Sequence, residues 1–297
     1  MNTQQILEKI NGNFDVEHKA VYFYPSTKTN ETVEVPRYSA IVRKDNDRPL
    51  SIVGEDYGIV QYRDAVSFLD QIMDKKSIQF DSGWVIDNGA KLYLFLKGAE
   101  AINLGPNEQI KAAFMVSSSH DGTGAIRISA TPIYTPLQSI ITPFGKAQIK
   151  IKHKSRVEQR ISLSKIAIEK LFNYFEQNRD SYADLTTVKV SEENAKAYFG
   201  SLIESDSTRA ENIKNKLYDI FLTSPLTSGL ESCRGTLFGC FMAVVQYADL
   251  YKIVRKSKIR SPEDARVFSS LDGDGAKMKA DALAFALKIM ERGHFNF

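Results

Sequence analysis

The hydrophobic period of this chain changes once, near Pro143, and that change restricts the fold more than any other feature. Before it, apolar residues recur every second position, the mark of strands with one buried face. Ile78, Phe80, Trp84 and Ile86 fall on one side with Gln79 and Asp81 on the other. Asp87-Asn88-Gly89 supplies a turn, and residues 92–96 return as an apolar run, so the pair reads as a hairpin. Further strands are expected at 20–24, 37–43, 50–53, 110–116 and 126–130. A helix beginning near Tyr62 carries Ala65, Val66, Phe68, Leu69 and Ile72.

Beyond Pro143 the spacing becomes three and four. Val157, Ile161, Ser164, Ile168, Leu171, Phe172 and Phe175 form one stripe, and helices are expected at 191–203, 208–222, 235–254 and 275–292. The expectation is therefore an α+β protein: an N-terminal, mostly antiparallel sheet with one or two helices, then a C-terminal helical region. Residues 1–145 form the β-rich region, and 146–297 a basic strand with the helices. No Gly/Ser-rich or Pro-rich linker separates them, so they are read as one integrated fold.

With 297 residues, 43% apolar and 25% charged, the chain has the composition of a folded globular protein. The apolar window 237–254 contains Gln246, Asp249 and Lys252, which fits a buried core helix better than a membrane span. Residues 1–12 read as a short amphipathic helix, without the basic and apolar stretches of a secretory signal. The two cysteines, Cys233 and Cys240, lie on one helical face and are expected to be reduced and buried, which suits the cytoplasm.

Common enzyme signatures are missing: no G-x-x-x-x-G-K-[ST], no G-x-G-x-x-G after a strand, no G-x-S-x-G and no H-E-x-x-H. The four histidines are scattered without a Cys or second His at ligand spacing, so neither a metal nor a cofactor is expected. Residues 270–281 resemble a calcium loop through Asp272, Asp274 and Gly275. Ser at the first position, Lys277 at the hydrophobic one and Asp281 in place of the bidentate Glu favour a turn before the last helix.

Two features remain. Residues 118–124, Ser-Ser-His-Asp-Gly-Thr-Gly, form the densest small polar cluster and lie between two expected strands. His120 and Asp121 could act as an acid/base pair. The glycines and hydroxyls equally suit a binding or assembly loop, with Ser119, His120, Asp121 and Gly122 as its residues. The second feature is charge. Residues 1–145 carry a net −3 and residues 146–297 a net +6, while 146–170 hold eight Lys/Arg against Glu158 and Glu169. Lys150, Lys152 and Lys154 alternate with apolar residues, so a strand would set their ammonium groups about 7 Å apart, a spacing that can follow a phosphodiester backbone. Arg156 and Arg160 extend the row, and Arg127 could join it from the neighbouring strand. An edge strand guarded against aggregation by lysines is the competing explanation. A second basic group, Lys252, Arg255, Lys256, Lys258 and Arg260, sits where a helix ends, and interaction with that terminus accounts for part of it.

Several ordered motifs resemble a known family. Val53-Gly-Glu-Asp-Tyr-Gly-Ile-Val-Gln61, Arg63-Asp-Ala, Ser118-Ser-His-Asp-Gly122 with Ala125-Ile-Arg127, Thr131-Pro132, Ile151-Lys-His153, Glu158-Gln-Arg160, Gly275-Ala-Lys277 and Lys279-Ala are similar to the phage/plasmid-like proteins of domain-of-unknown-function family 932, over roughly residues 50 to 290. Where that family tends to show a Cys-x-Asn-type segment, this chain has Leu137-Gln138-Ser139. The resemblance implies a phage or mobile-element protein, and its sheet-then-helix order is similar to single-strand annealing recombinases. The functional expectation is a non-enzymatic, sequence-independent single-stranded nucleic-acid-binding protein, homo-oligomeric and cytoplasmic in a bacterial host. Its nucleic-acid-binding residues would be Arg127, Lys150, Lys152, Lys154, Arg156 and Arg160. The alternatives are a nucleotide- or nucleic-acid-acting enzyme built on His120 and Asp121, and a phage factor that binds a host protein.

Overall fold

The computed structural model describes residues 1–25, 31–73, 78–123, 126–137, 139–141, 148–151, 166, 173, 175, 179–255 and 260–293. It is α+β, with antiparallel strands first and helices after them. The order is α1 (Thr3–Lys9), β1 (Val16–Phe23), β2 (Val33–Arg43), β3 (Pro49–Gly54), α2 (Tyr62–Val66), α3 (Phe68–Met73), β4 (Gln79–Ile86), β5 (Lys91–Gly105), β6 (Glu108–Ser119), β7 (Ile126–Ala130), β8 (Ile133–Tyr134), β9 (Ser139–Ile140) and β10 (Gln148–Ile151). The helices α4 (Arg179–Thr187), α5 (Glu192–Leu202), α6 (Thr208–Thr223), α7 (Leu237–Gln246), α8 (Pro262–Leu271) and α9 (Asp274–Arg292) follow, with a π-helical turn at Tyr247–Tyr251. The stripe expected at 157–175 lies outside the described residues apart from Phe175, which is buried.

The chain divides into two compact units. The first comprises Met1–Lys97, Phe114–Ser129 and Gln148–Lys170, and the second Gly98–Ala113, Ala130–Ala147 and Leu171–Phe297. These segments interleave, whereas the change of period marks one point on the chain. The reason is strand length: β5 and β6 run far beyond the apolar cores that announce them, and each contributes residues to both units.

Within the first unit β1, β2 and β3 form an antiparallel sheet in that order; a second sheet, whose β5 and β6 extend into the second unit, runs β10-β7-β6-β5-β4. The expected hairpin is present: Trp84 pairs with Tyr93 and Ile86 with Lys91. Its turn uses left-handed backbone at Asp87, Asn88 and Gly89, which explains the Asp-Asn-Gly sequence. Helix α1 starts with a capping box between Asn2 and Gln5, and the Thr3 backbone and hydroxyl both donate to Asp70 of α3. Residues 92–96 are all buried, as are Phe114, Val116, Ile126 and Ile128.

In the second unit the core gathers around α7, every residue of which is buried. Burial of side chains such as Phe238 and Phe241 contributes about 1.5–3 kcal/mol each. The polar residues of this apolar window are accommodated individually. Gln246 bonds Ser224, and Asp249 in the π turn pairs with Lys279. Cys233 and Cys240 are free and buried, and burial pushes the Cys233 thiol up to about 12. Among the described residues no helix is long and apolar enough to cross a membrane. The turn before α9 is formed by Asp272 and Gly273, and a Cβ on Gly275 would lie 2.7 Å from the Ser269 carbonyl oxygen.

Candidate nucleic-acid interface

Strand β10 pairs antiparallel with β7, setting Lys150 directly opposite Arg127 and Gln148 opposite Ser129. Directly opposed residues share a sheet face, so the two cations stand side by side. Lys150 is exposed and Arg127 half-buried. The Arg127 Nε donates to the buried Ser117 hydroxyl of β6 at 3.3 Å, which extends the face to a third strand. Ser129, two residues from Arg127 and thus on the same face, is buried, and its hydroxyl has no hydrogen-bond partner. Like charges directly opposed in a ladder are destabilising, and an anion laid across them relieves the repulsion. Lys152, Lys154, Arg156 and Arg160 lie outside the described residues.

The 118–123 loop is organised differently. The His120 ring is completely buried, 4.1 Å from the Tyr62 ring centroid and 6.3 Å from that of Phe14. Its backbone N–H donates to Ala90 O at 2.8 Å, and its carbonyl accepts from Ser51 Oγ at 2.7 Å. The Tyr57 hydroxyl donates to the Ser119 carbonyl. Asp121 pairs with the nearly buried Lys91 at 2.6 Å, and accepts from the Thr123 amide at 3.0 Å and hydroxyl at 2.5 Å. Lys91 also donates to the Thr123 hydroxyl. Burial pushes the Asp121 carboxyl up, but Lys91 and the two Thr123 donors outweigh it and hold the group below the usual carboxylate range. Burial, helped by the Asp121 charge and opposed by the Gly122 backbone, pushes Tyr57 up to about 12. Gly122 takes a left-handed φ of 73°, and a Cβ there would lie 3.1 Å from Val53 Cγ1.

The loop thus joins β3, α2, Ala90 and β6, with Asp121, Lys91 and Thr123 directed at one another. His120 faces aromatic rings, and its neighbour Asp121 is held as the partner of a lysine. Among the described residues no cluster of three His, Cys, Asp or Glu could hold a metal. The hydroxyls of Ser118 and Ser119 are buried without hydrogen-bond partners.

Three charged residues to which the sequence analysis gave no role of their own lie inside the molecule. Lys91 opens the apolar run of β5. Glu108 is buried, accepting from the Tyr134 hydroxyl at 2.6 Å, the Glu231 amide at 2.9 Å and the Ser232 hydroxyl. Lys279 is buried in α9, with Asp249 at 2.6 Å and the Ser270 hydroxyl at 3.0 Å. A signal was present for the last two. Glu108 has the parity of Ile110, Ala112 and Phe114, and Lys279 lies on the same helical stripe as Ala282, Leu283 and Ala286. A charge on an apolar face requires a buried partner.

No curated protein and no solved structure matches the chain. The model of the family described as Domain of unknown function (DUF932) matches residues 49–271, a span that runs from β3 to α8 and contains the 118–123 loop and the β7–β10 pair. This chain belongs to that family.

Proposed function

We propose that this protein binds single-stranded nucleic acid through its sugar-phosphate backbone, without sequence preference and without catalysing a reaction. It serves as an annealing or protective protein of a phage or mobile element, homo-oligomeric in the cytoplasm of a bacterial host. The observation that carries this reading is the direct opposition of Lys150 and Arg127 on one sheet face, beside the buried hydroxyls of Ser117 and Ser129. Lysine, arginine and serine are the side chains that meet phosphate oxygens, and such contacts hold a strand without reading its bases. In sequence the row continues through Lys152, Lys154, Arg156 and Arg160.

Exposed aromatic rings support the single-stranded preference. Tyr22 and Phe23 of β1, Tyr24 beyond it and Tyr38 of β2 are each at least 49% exposed, unusual for such large apolar surfaces. Unpaired bases stack on rings of this kind, whereas a duplex keeps its bases inside. The His120–Asp121 pair takes a structural part in this reading, because its ring packs in an aromatic interior and its acid is bound to Lys91.

Fluorescence anisotropy with labelled single-stranded and duplex oligonucleotides tests the reading. The expected outcome is tighter binding of the single strand, similar affinity for unrelated sequences, and no cleavage with magnesium or manganese. Absence of binding at low salt, or metal-dependent turnover, overturns it.

A further inference from the structure

In the second unit, three residues of the second basic group, Lys252, Arg255 and Arg260, line a cavity, while Lys256 and Lys258 lie outside the described residues. The π turn ends at Tyr251, and residues 252–255 follow without regular structure. Ser261 then caps α8, its hydroxyl accepting the Asp264 N–H at 3.0 Å. Here lies a cavity of 410 Å³ whose lining includes Lys252, Arg255, Arg260 and Arg266 and, among the described residues, contains no acid. A neighbouring cavity of 260 Å³ shares Lys252, Arg255 and Arg260 and adds Arg209 and Asp274.

Interaction with the preceding helix terminus is the simplest explanation of the cluster, yet the side chain that meets this terminus is Arg266, which lies outside the cluster. Arg266 Nη1 donates to the carbonyls of Asp249 and Leu250, at 3.4 and 3.2 Å. The side chains of Lys252 and Arg255 make no hydrogen bond or ion pair with a described residue. Two cations without counter-charges therefore line a concave site with two arginines. The site also has an apolar side. Ile253 is 77% exposed and Tyr251 is 44% exposed, with the Lys216 ammonium 4.6 Å from the Tyr251 ring centroid.

A cationic wall beside an apolar one selects a ligand that has both an anionic end and a flat apolar one. We propose that this cavity binds a nucleoside di- or triphosphate, with Lys252 and Arg255 holding the phosphates and the Tyr251–Ile253 side receiving the base. The volume lies within the range of about 300–1,000 Å³ usual for small-molecule sites. A concave site of this size suits a mononucleotide better than a continuous strand. The proposal is independent of the strand-binding face in the first unit.

Isothermal titration of wild-type protein and of Lys252→Ala/Arg255→Ala with ATP, pyrophosphate and a single-stranded oligonucleotide, all without magnesium, tests it. Neither side chain has a partner to lose, so the variant should melt with the wild type. Expected are ATP binding by the wild type, weaker binding of pyrophosphate, and a loss of ATP affinity of at least about tenfold in the variant. A variant with substitutions at Lys150, Lys152 and Lys154 should bind ATP normally. The site assignment is overturned if ATP affinity is weaker than about 1 mM in the wild type or unchanged in the variant. Pyrophosphate binding as tight as ATP overturns the nucleoside part. Oligonucleotide binding lost in the variant, with no ATP binding by the wild type, returns the cluster to the strand track.

Discussion

The 118–123 loop and the β7–β10 face lie in one unit and are both rich in polar residues, yet they dispose of them in opposite ways. In the loop, the acid meets a lysine, the threonine meets the acid, and His120 is enclosed by Tyr62 and Phe14. On the sheet face, two cations stand directly opposite each other; buried serine hydroxyls without hydrogen-bond partners occur in both places, at Ser118 and Ser119 of the loop and at Ser129 of the face. Polar groups that satisfy one another build structure, while like charges set side by side favour an anion laid across them. Residue types alone leave both places open, since His next to Asp suits chemistry or a binding loop, and a lysine-rich strand suits a phosphate track or a guarded edge.

This contrast makes substitutions in the loop matter for stability and substitutions on the face matter for binding. The largest stability effect is expected from His120→Ala, which empties a fully buried aromatic site at about 2–4 kcal/mol in urea unfolding. Any nucleic-acid affinity it loses should follow the unfolded fraction. Unchanged stability would mean that the ring is not part of the core.

Next is Lys91→Met, expected to cost about 2 kcal/mol, below the usual range for a broken buried pair because Asp121 keeps its Thr123 donors. The same pair sets an acid limit. The Asp121 carboxyl is held below its ordinary value, so its contribution is complete above the unfolded value near pH 4 and is lost as pH falls through the folded one. Wild-type stability should therefore fall more steeply below about pH 4 than that of Lys91→Met, as read by melting temperature against pH. Equal slopes would remove Lys91 as the group that holds the acid ionised.

Gly122→Ala should cost about 1 kcal/mol, because its left-handed backbone disfavours a side chain and Val53 must yield. Smallest is Lys150→Ala, within about 0.5 kcal/mol of wild type, since the side chain is exposed. A clear loss of stability there would show that the lysine is structural and would erase the contrast.

Much of the fold was legible because periodicity reports which face of an element is buried. Residues 78–96 read as a hairpin and form one, and the apolar window after Gly235 reads as a core helix and forms α7. The helices α4 and α8 were not anticipated, since α4 offers few apolar positions and α8 buries only Ala265 and Ser269. The site was partly legible. Lys150 opposite Arg127 follows from strand alternation once the register is known. The burial of His120 depends on Tyr62 and Phe14, which lie 58 and 106 residues away in the chain, and no local pattern encodes such a meeting.

The most direct test of the division between a structural loop and a binding face is the salt dependence of single-strand affinity for wild type and Lys150→Glu/Lys152→Glu/Lys154→Glu. If the wild type neutralises about five phosphates, log K should fall with log salt at a slope of about −3.5. The charge-reversed protein should melt with the wild type and fail to bind at any salt concentration. Wild-type affinity and slope in that variant would contradict the account and place the phosphate contacts elsewhere on the molecule.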